Sequence, residues 1–237
     1  MSTDMSAKQF VERLNTYRST EDPDKSQRSL ENSEDDISTG ARMGQIFALA
    51  KEFIDMLPSD IEILLESPIH AVRVGALSIM CHQASRKKTP ESRKKELFDL
   101  YLKRTHRINT WNLVDISCHK VVGGYLLDKP RDVLYTLAHS QNWCERRIAV
   151  YSTLLFIRGG DLDDAFKISE ILLNDDQHFI HTAVGGVLRE AGKHDRQRLL
   201  SMLDQHAATM PRILLRFAIE HLDKEQRDHY LSMKKAG

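Results

Sequence analysis

At 237 residues the chain is long enough for one large domain or a stack of small repeats. Its 41% apolar content excludes global disorder, and scarce Gly and Pro with few aromatics favour helix over sheet. Basic and acidic residues balance at 34 each, so no global field points to a polyanion, and any nucleic-acid surface must come from local charge sorting.

The three cysteines, Cys81, Cys118 and Cys144, are far apart and form no CxxC pair. They are expected as small buried hydrophobes in a reducing compartment, without zinc or disulfides. No apolar run approaches the ~18 residues of a membrane span. The opening "MSTDMSAKQF" is too polar for a signal peptide, and the expected location is the cytoplasm.

In chain order, "AKQFVERLNTYR" (residues 7–18) predicts a short helix, because Phe10, Leu14 and Tyr17 recur at helical spacing. Residues 19–40, "STEDPDKSQRSLENSEDDISTG", are acidic and Ser-rich and are expected to form a mobile connection. The chain is thus divided into 1–40, a helix plus acidic segment, and 41–237, a repeat domain. From residue 41 onward nearly everything carries helical periodicity. Breaks are expected at Pro58, Pro68, Pro90, residues 108–110, Pro130, residues 140–142, Gly159–Gly160, residues 174–177, Gly192 and Pro211.

Five segments open a unit after a break: "SPIHAVRVGALSIM", "NTWNLVDISCHKVV", "QNWCERRIAVYSTLL", "QHFIHTAVGGVLREAG" and "MPRILLRFAIEHL". Their starts near Pro68, Asn109, Asn142, Gln177 and Pro211 are spaced by 41, 33, 35 and 34 residues. Each unit reads as two antiparallel helices that bury their apolar faces only by stacking. The expected fold is all-α, an α-solenoid of HEAT-like antiparallel helix pairs with the first helix of each pair inside, lining a concave face. A globular helical bundle is the alternative.

Arg73, Asp115 and Arg146–Arg147 fall at similar depth in successive first helices, with Arg189 and Arg216 farther along. A row of guanidinium forks suits phosphate oxygens. Lys120 closes the Trp111 segment and is grouped with these candidate DNA contacts. A second basic cluster is linear: residues 86–107 hold nine Lys or Arg against three Asp or Glu. As a plain helical surface, such a run would simply be solvated.

Trp111 and Asp115 stand four apart in "RINTWNLVDISCHK" and share one helix face. In one reading Trp111 packs between repeats and Asp115 accepts hydrogen bonds from Arg73 or Arg146. In the other, both open into a groove. An aromatic ring beside a carboxylate, ringed by cations, suits a cationic group carried on a polyanion, and an alkylated purine in DNA fits. As its glycosidic bond breaks, positive charge moves onto the sugar, where a fixed carboxylate stabilises it.

On the segments "RVGALSIM", "INTWNLVD", "NWCERRIAVYSTLLFI", "AVGGVLREAG" and "MPRILLRFAIEHL", roughly residues 40–232, the chain resembles the DNA alkylation repair glycosylases of the AlkD type. That resemblance implies HEAT-like repeats and excision of N3- and N7-alkylated purines from double-stranded DNA. It implies a monomer acting without metal or cofactor and without deep base flipping. By position Asp115 matches the family's catalytic carboxylate, Trp111 its aromatic beside the lesion, and Arg146 the arginine that completes the site. Arg147, Arg73, Lys120, Arg189 and Arg216 are the expected DNA contacts. The chain departs from the family at Gly186, where "GW" often precedes "LRE" and the tryptophan touches the lesion nucleotide. A DNA-binding relative without catalysis is therefore the runner-up, and a protein-binding scaffold the third reading. His178 and His181, three apart, lack the companions of a metal site.

Overall fold

The computed structural model describes residues 5–17 and 41–233. The connection expected over residues 19–40 lies outside them. The described residues are helical, with short 3₁₀ turns and no strand. No described helix is long and apolar enough to cross a membrane. The chain forms two compact units, residues 1–125 and 126–237.

The first unit holds α1 (Ala7–Asn15), α2 (Met43–Glu52), α3 (Pro58–Leu65), α4 (His70–Ser85), α5 (Glu91–Lys103) and α6 (Trp111–Tyr125). A capping box starts α1: Ser6 Oγ accepts from Gln9 N–H, and the Gln9 side chain accepts from Ser6 N–H. Phe10 and Leu14 are fully buried. Ala7 N–H donates to Asp60 Oδ1 at 2.8 Å, tying α1 to the start of α3. Pro58 is the first residue of α3, where its missing N–H is harmless. The central helix is α4, packed by α2, α3, α5 and α6. Thirteen of its 16 residues are buried, so the helix is enclosed all round rather than on one side. Between α5 and α6 the buried Tyr101 hydroxyl lies 2.8 Å from Ser117 Oγ, which donates to Leu113 O.

The second unit holds α7 (Asp132–Ala138), α8 (Trp143–Ser152), α9 (Leu154–Arg158), α10 (Asp163–Ile171), α11 (His178–His194), α12 (Arg196–His206), α13 (Arg212–Ala218) and α14 (Lys224–Ser232). Short polar residues start several of these. Asn142 accepts from Cys144 N–H, Asp195 from Arg198 N–H and Asp223 from Gln226 N–H. Gly160 takes φ +82° in the turn between α9 and α10. The break predicted at Gly192 comes a few residues later, at Asp195 between α11 and α12. Gly192 itself lies inside α11, and a Cβ there would meet Leu199 Cδ2 of α12 at 2.3 Å, so that glycine serves close packing.

The repeat is present. The first helices start at residues 70, 111, 143, 178 and 212, next to the predicted openings. Within each unit they pack on one another, α4 on α6 in the first, with α2 also against α4, and α8, α11 and α13 in the second. All three cysteines are buried, as expected. Burial pushes the Cys81 thiol up to about 12.

Candidate functional site

Trp111 is the first residue of α6 and is 38% exposed, so it does not pack away between repeats. Asp115 follows one turn later and is half-buried. The ring and the carboxylate therefore share a solvent-reaching face, while Leu113, Val114, Ser117 and Cys118 turn inward. Lys120, farther along α6, is exposed.

The turn before α6 is held from α4. Arg73 Nη2 donates to Asn109 Oδ1 at 3.3 Å, and Arg73 Nη1 to Ser67 O at 2.9 Å. His70 Nε2 lies 3.2 Å from Asn112 Oδ1 and 3.4 Å from the Thr110 hydroxyl oxygen. Thr110 Oγ1 and Leu113 N–H both donate to Asn112 Oδ1. Arg73 is 1% exposed, which corrects its expected place on a DNA-binding surface. Its guanidinium is a clamp on two loops inside the unit.

In the second unit Trp143 opens α8 as Trp111 opens α6. It stacks on Phe179, with ring centroids 5.1 Å apart and planes at 23°. Arg146 is nearly enclosed. Nε donates to Asp175 Oδ2 at 2.6 Å, and Nη2 to Asp175 Oδ1 at 3.0 Å and Asp176 Oδ1 at 3.4 Å. Nη1 donates to Ser140 O at 2.9 Å and Gln141 O at 3.1 Å. A guanidinium has five N–H donors, and all five are engaged. The Asp175 carboxylate side chain is only 5% exposed and that of Arg146 13%, so the pair is a largely desolvated, forked ion pair. A cavity of about 470 Å³ opens beside it, lined by His139, Gln141, Trp143, Arg146, Asn174 and Asp175 among others.

Arg147 is 3% exposed and, like Arg73, is corrected from surface to interior. Its Nη1 donates to Phe179 O, and its guanidinium carbon sits 4.6 Å from the Tyr151 ring centroid. Arg189 is half-buried and bridges Glu220 and Glu190. Partial burial alone would lower its pKa, but the hydrogen bond to Glu220 and the two carboxylates outweigh that and raise it. Arg216 is exposed. Most of the linear cluster at 86–107 is neutralised. Arg86 pairs with Asp55, Arg93 with Glu96, Lys94 with Glu91 and Lys95 with Asp99. Lys103 and Arg104 converge on Glu62, and Arg104 and Arg107 on Glu66. Lys87 and Lys88 stay exposed.

The recurrent arginines obey a local rule that the sequence pattern hid. The fourth residue of a first helix reaches back to a carbonyl six residues earlier. Arg73 does so to Ser67 O, Arg146 to Ser140 O, and His181 Nε2 lies 2.6 Å from Asp175 O. These residues hold the entry turns of the repeats. On α6 and α13 the fourth residues are the buried Val114 and Leu215, which cannot do this.

Gly185 and Gly186, on α11, differ sharply. A Cβ on Gly185 would meet Leu214 O and Phe217 Cβ of α13, both at 2.6 Å, whereas one on Gly186 would meet nothing within 4 Å. The position where the resemblance implies an aromatic is thus open space. Among the described residues no group of three or more His, Cys, Asp or Glu is arranged to hold a metal ion.

A predicted DNA alkylation repair enzyme from Enterococcus faecalis has a similar fold, with TM-score 0.67 and 15% identity, over 88% of this chain and 99% of that one. The crystal structure of AlkD2 from Streptococcus mutans gives TM-score 0.57 and 17% identity, over 92% of this chain and all of that one. The all-α solenoid class expected from the sequence is the fold shared with these structures. No curated protein matches the sequence. The sequence profile of the DNA alkylation repair enzyme family matches residues 10–222. The chain belongs to the DNA alkylation repair enzyme family.

Proposed function

We propose that the protein is a monofunctional DNA glycosylase that removes cationic N3- and N7-alkylated purines from duplex DNA. The observation that carries this reading is the face of α6, where an exposed Trp111 ring stands one turn before a half-buried Asp115 carboxylate. The C1′–N bond of an alkylated purine breaks with its electron pair moving onto the cationic ring, which leaves as a neutral base. The sugar becomes oxocarbenium-like, and Asp115 stabilises that charge. Water oxygen bonds to C1′ and its proton passes to the carboxylate or to solvent. Trp111 lies against the lesion nucleotide in this scheme, with Lys120 and Arg216 as exposed contacts for phosphates. Arg146 reaches a phosphate by exchanging Asp176, its most distant partner at 3.4 Å and 84% exposed, while keeping Asp175.

A second reading, a binder of distorted DNA without catalysis, rests on Gly186, which offers no aromatic surface. The two are separated by release of free base from duplexes carrying 7-methylguanine or the neutral O6-methylguanine. The glycosylase reading expects release of 7-methylguanine only. Binding of both duplexes without release of either establishes the second.

A further inference from the structure

We infer that His70 is a positioning residue for Trp111, acting through the Thr110–Asn112 turn. This rests on the reading of the α6 face given above. The turn before α4 and that before α8 are each fastened by an arginine of their own helix, and that before α11 by His181. The turn before α6 has no such clamp, because Val114 stands at that place. It is fastened from the preceding first helix instead. Arg73 takes Asn109, and His70 faces Asn112 and Thr110, so the two residues flanking Trp111 in the chain are both held by His70.

His70 is 7% exposed and Thr110 2%, so this is an interior network, while the ring it brackets is exposed. Asn112 Oδ1 accepts from the Thr110 hydroxyl and, being an acceptor only, can also receive an N–H from His70 Nε2, 3.2 Å away. A side chain at the first position of a helix has no preceding turn to lean on, and its direction follows the backbone of the entry turn. Loosening that turn frees the indole without touching Asp115, one full turn inside α6.

The test uses Trp143→Phe as parent, because the chain has two tryptophans and this leaves Trp111 alone. His70→Ala, His70→Gln and Thr110→Val are compared with it. Acrylamide quenching and fluorescence anisotropy of Trp111 are read in the free protein. Single-turnover base release and affinity for undamaged duplex are read alongside. His70→Ala is expected to raise the quenching constant and lower the anisotropy. Release should fall by about tenfold while affinity for undamaged DNA stays within about twofold. His70→Gln, which restores a donor toward Asn112, should recover both. Unchanged quenching and anisotropy in a folded His70→Ala overturns the inference. If His70→Ala fails to fold, Thr110→Val decides it by the same readings. If the unaltered protein releases no base, the glycosylase reading fails, and the fluorescence readings still decide the role of His70.

Discussion

Gly185 and Gly186 are neighbours on α11 under opposite demands. The backbone of α13 approaches Gly185 so closely that a methyl group collides with Leu214 O and Phe217 Cβ. Gly185→Ala is therefore expected to lower stability by about 1–3 kcal/mol, read from urea midpoints. Gly186→Ala should raise it by about 0.5–1 kcal/mol, since it only removes a flexible residue from a helix. Gly186→Trp enters the same open space, and on the glycosylase reading it should tighten binding to a lesion-containing duplex by about 1–3 kcal/mol. Asp175 also carries a sharp expectation. Asp175→Asn leaves the enclosed Arg146 without its forked partner and should cost about 3 kcal/mol in the same unfolding assay. Trp111 and Asp115 were legible in the sequence because i, i+4 spacing fixes a common helix face. The fate of the arginines was not. Arg73 and Arg147 read as groove cations, yet what receives them is backbone carbonyl, which carries no sequence signature.

At the scale of elements, the openings near residues 68, 109, 142, 177 and 211 foretold the first helices to within a few residues, because proline and short polar caps punctuate each repeat. Gly192 misled, since a glycine that allows helices to pack closely looks the same as one that ends a helix. The basic run at 86–107 also misled. Three of its partners, Asp55, Glu62 and Glu66, lie on or near α2 and α3, about 30 to 40 residues earlier. Glu62 joins α3 to the end of α5. Its hydrogen bonds from Lys103 and then Arg104 hold its pKa below the usual 4.5. A carboxylate lowered on folding adds stability above its unfolded value and loses it as pH falls through the folded one. Thermal midpoints should therefore drop as pH is taken below about 4.5, and Glu62→Gln should make that drop shallower. An unaltered slope in Glu62→Gln would show that this link contributes nothing to acid sensitivity.

For the whole molecule, balanced charge and the pairing of many of the described basic residues predict a modest electrostatic attraction to DNA. Lys120→Ala and Arg216→Ala should each reduce the slope of log affinity against log salt by about 1. Lys95→Ala, whose ammonium is paired with Asp99, should leave it unchanged. The central claim is chemical, that Asp115 carries base release. It is tested by single-turnover excision from a duplex with one 7-methylguanine, comparing the unaltered protein with Asp115→Asn. The account predicts release by the former and a fall of about a hundredfold in the variant, a loss of about 2.7 kcal/mol of transition-state stabilisation. Equal rates in the two proteins, or no release above the uncatalysed background by the unaltered protein while it binds the duplex, would contradict it.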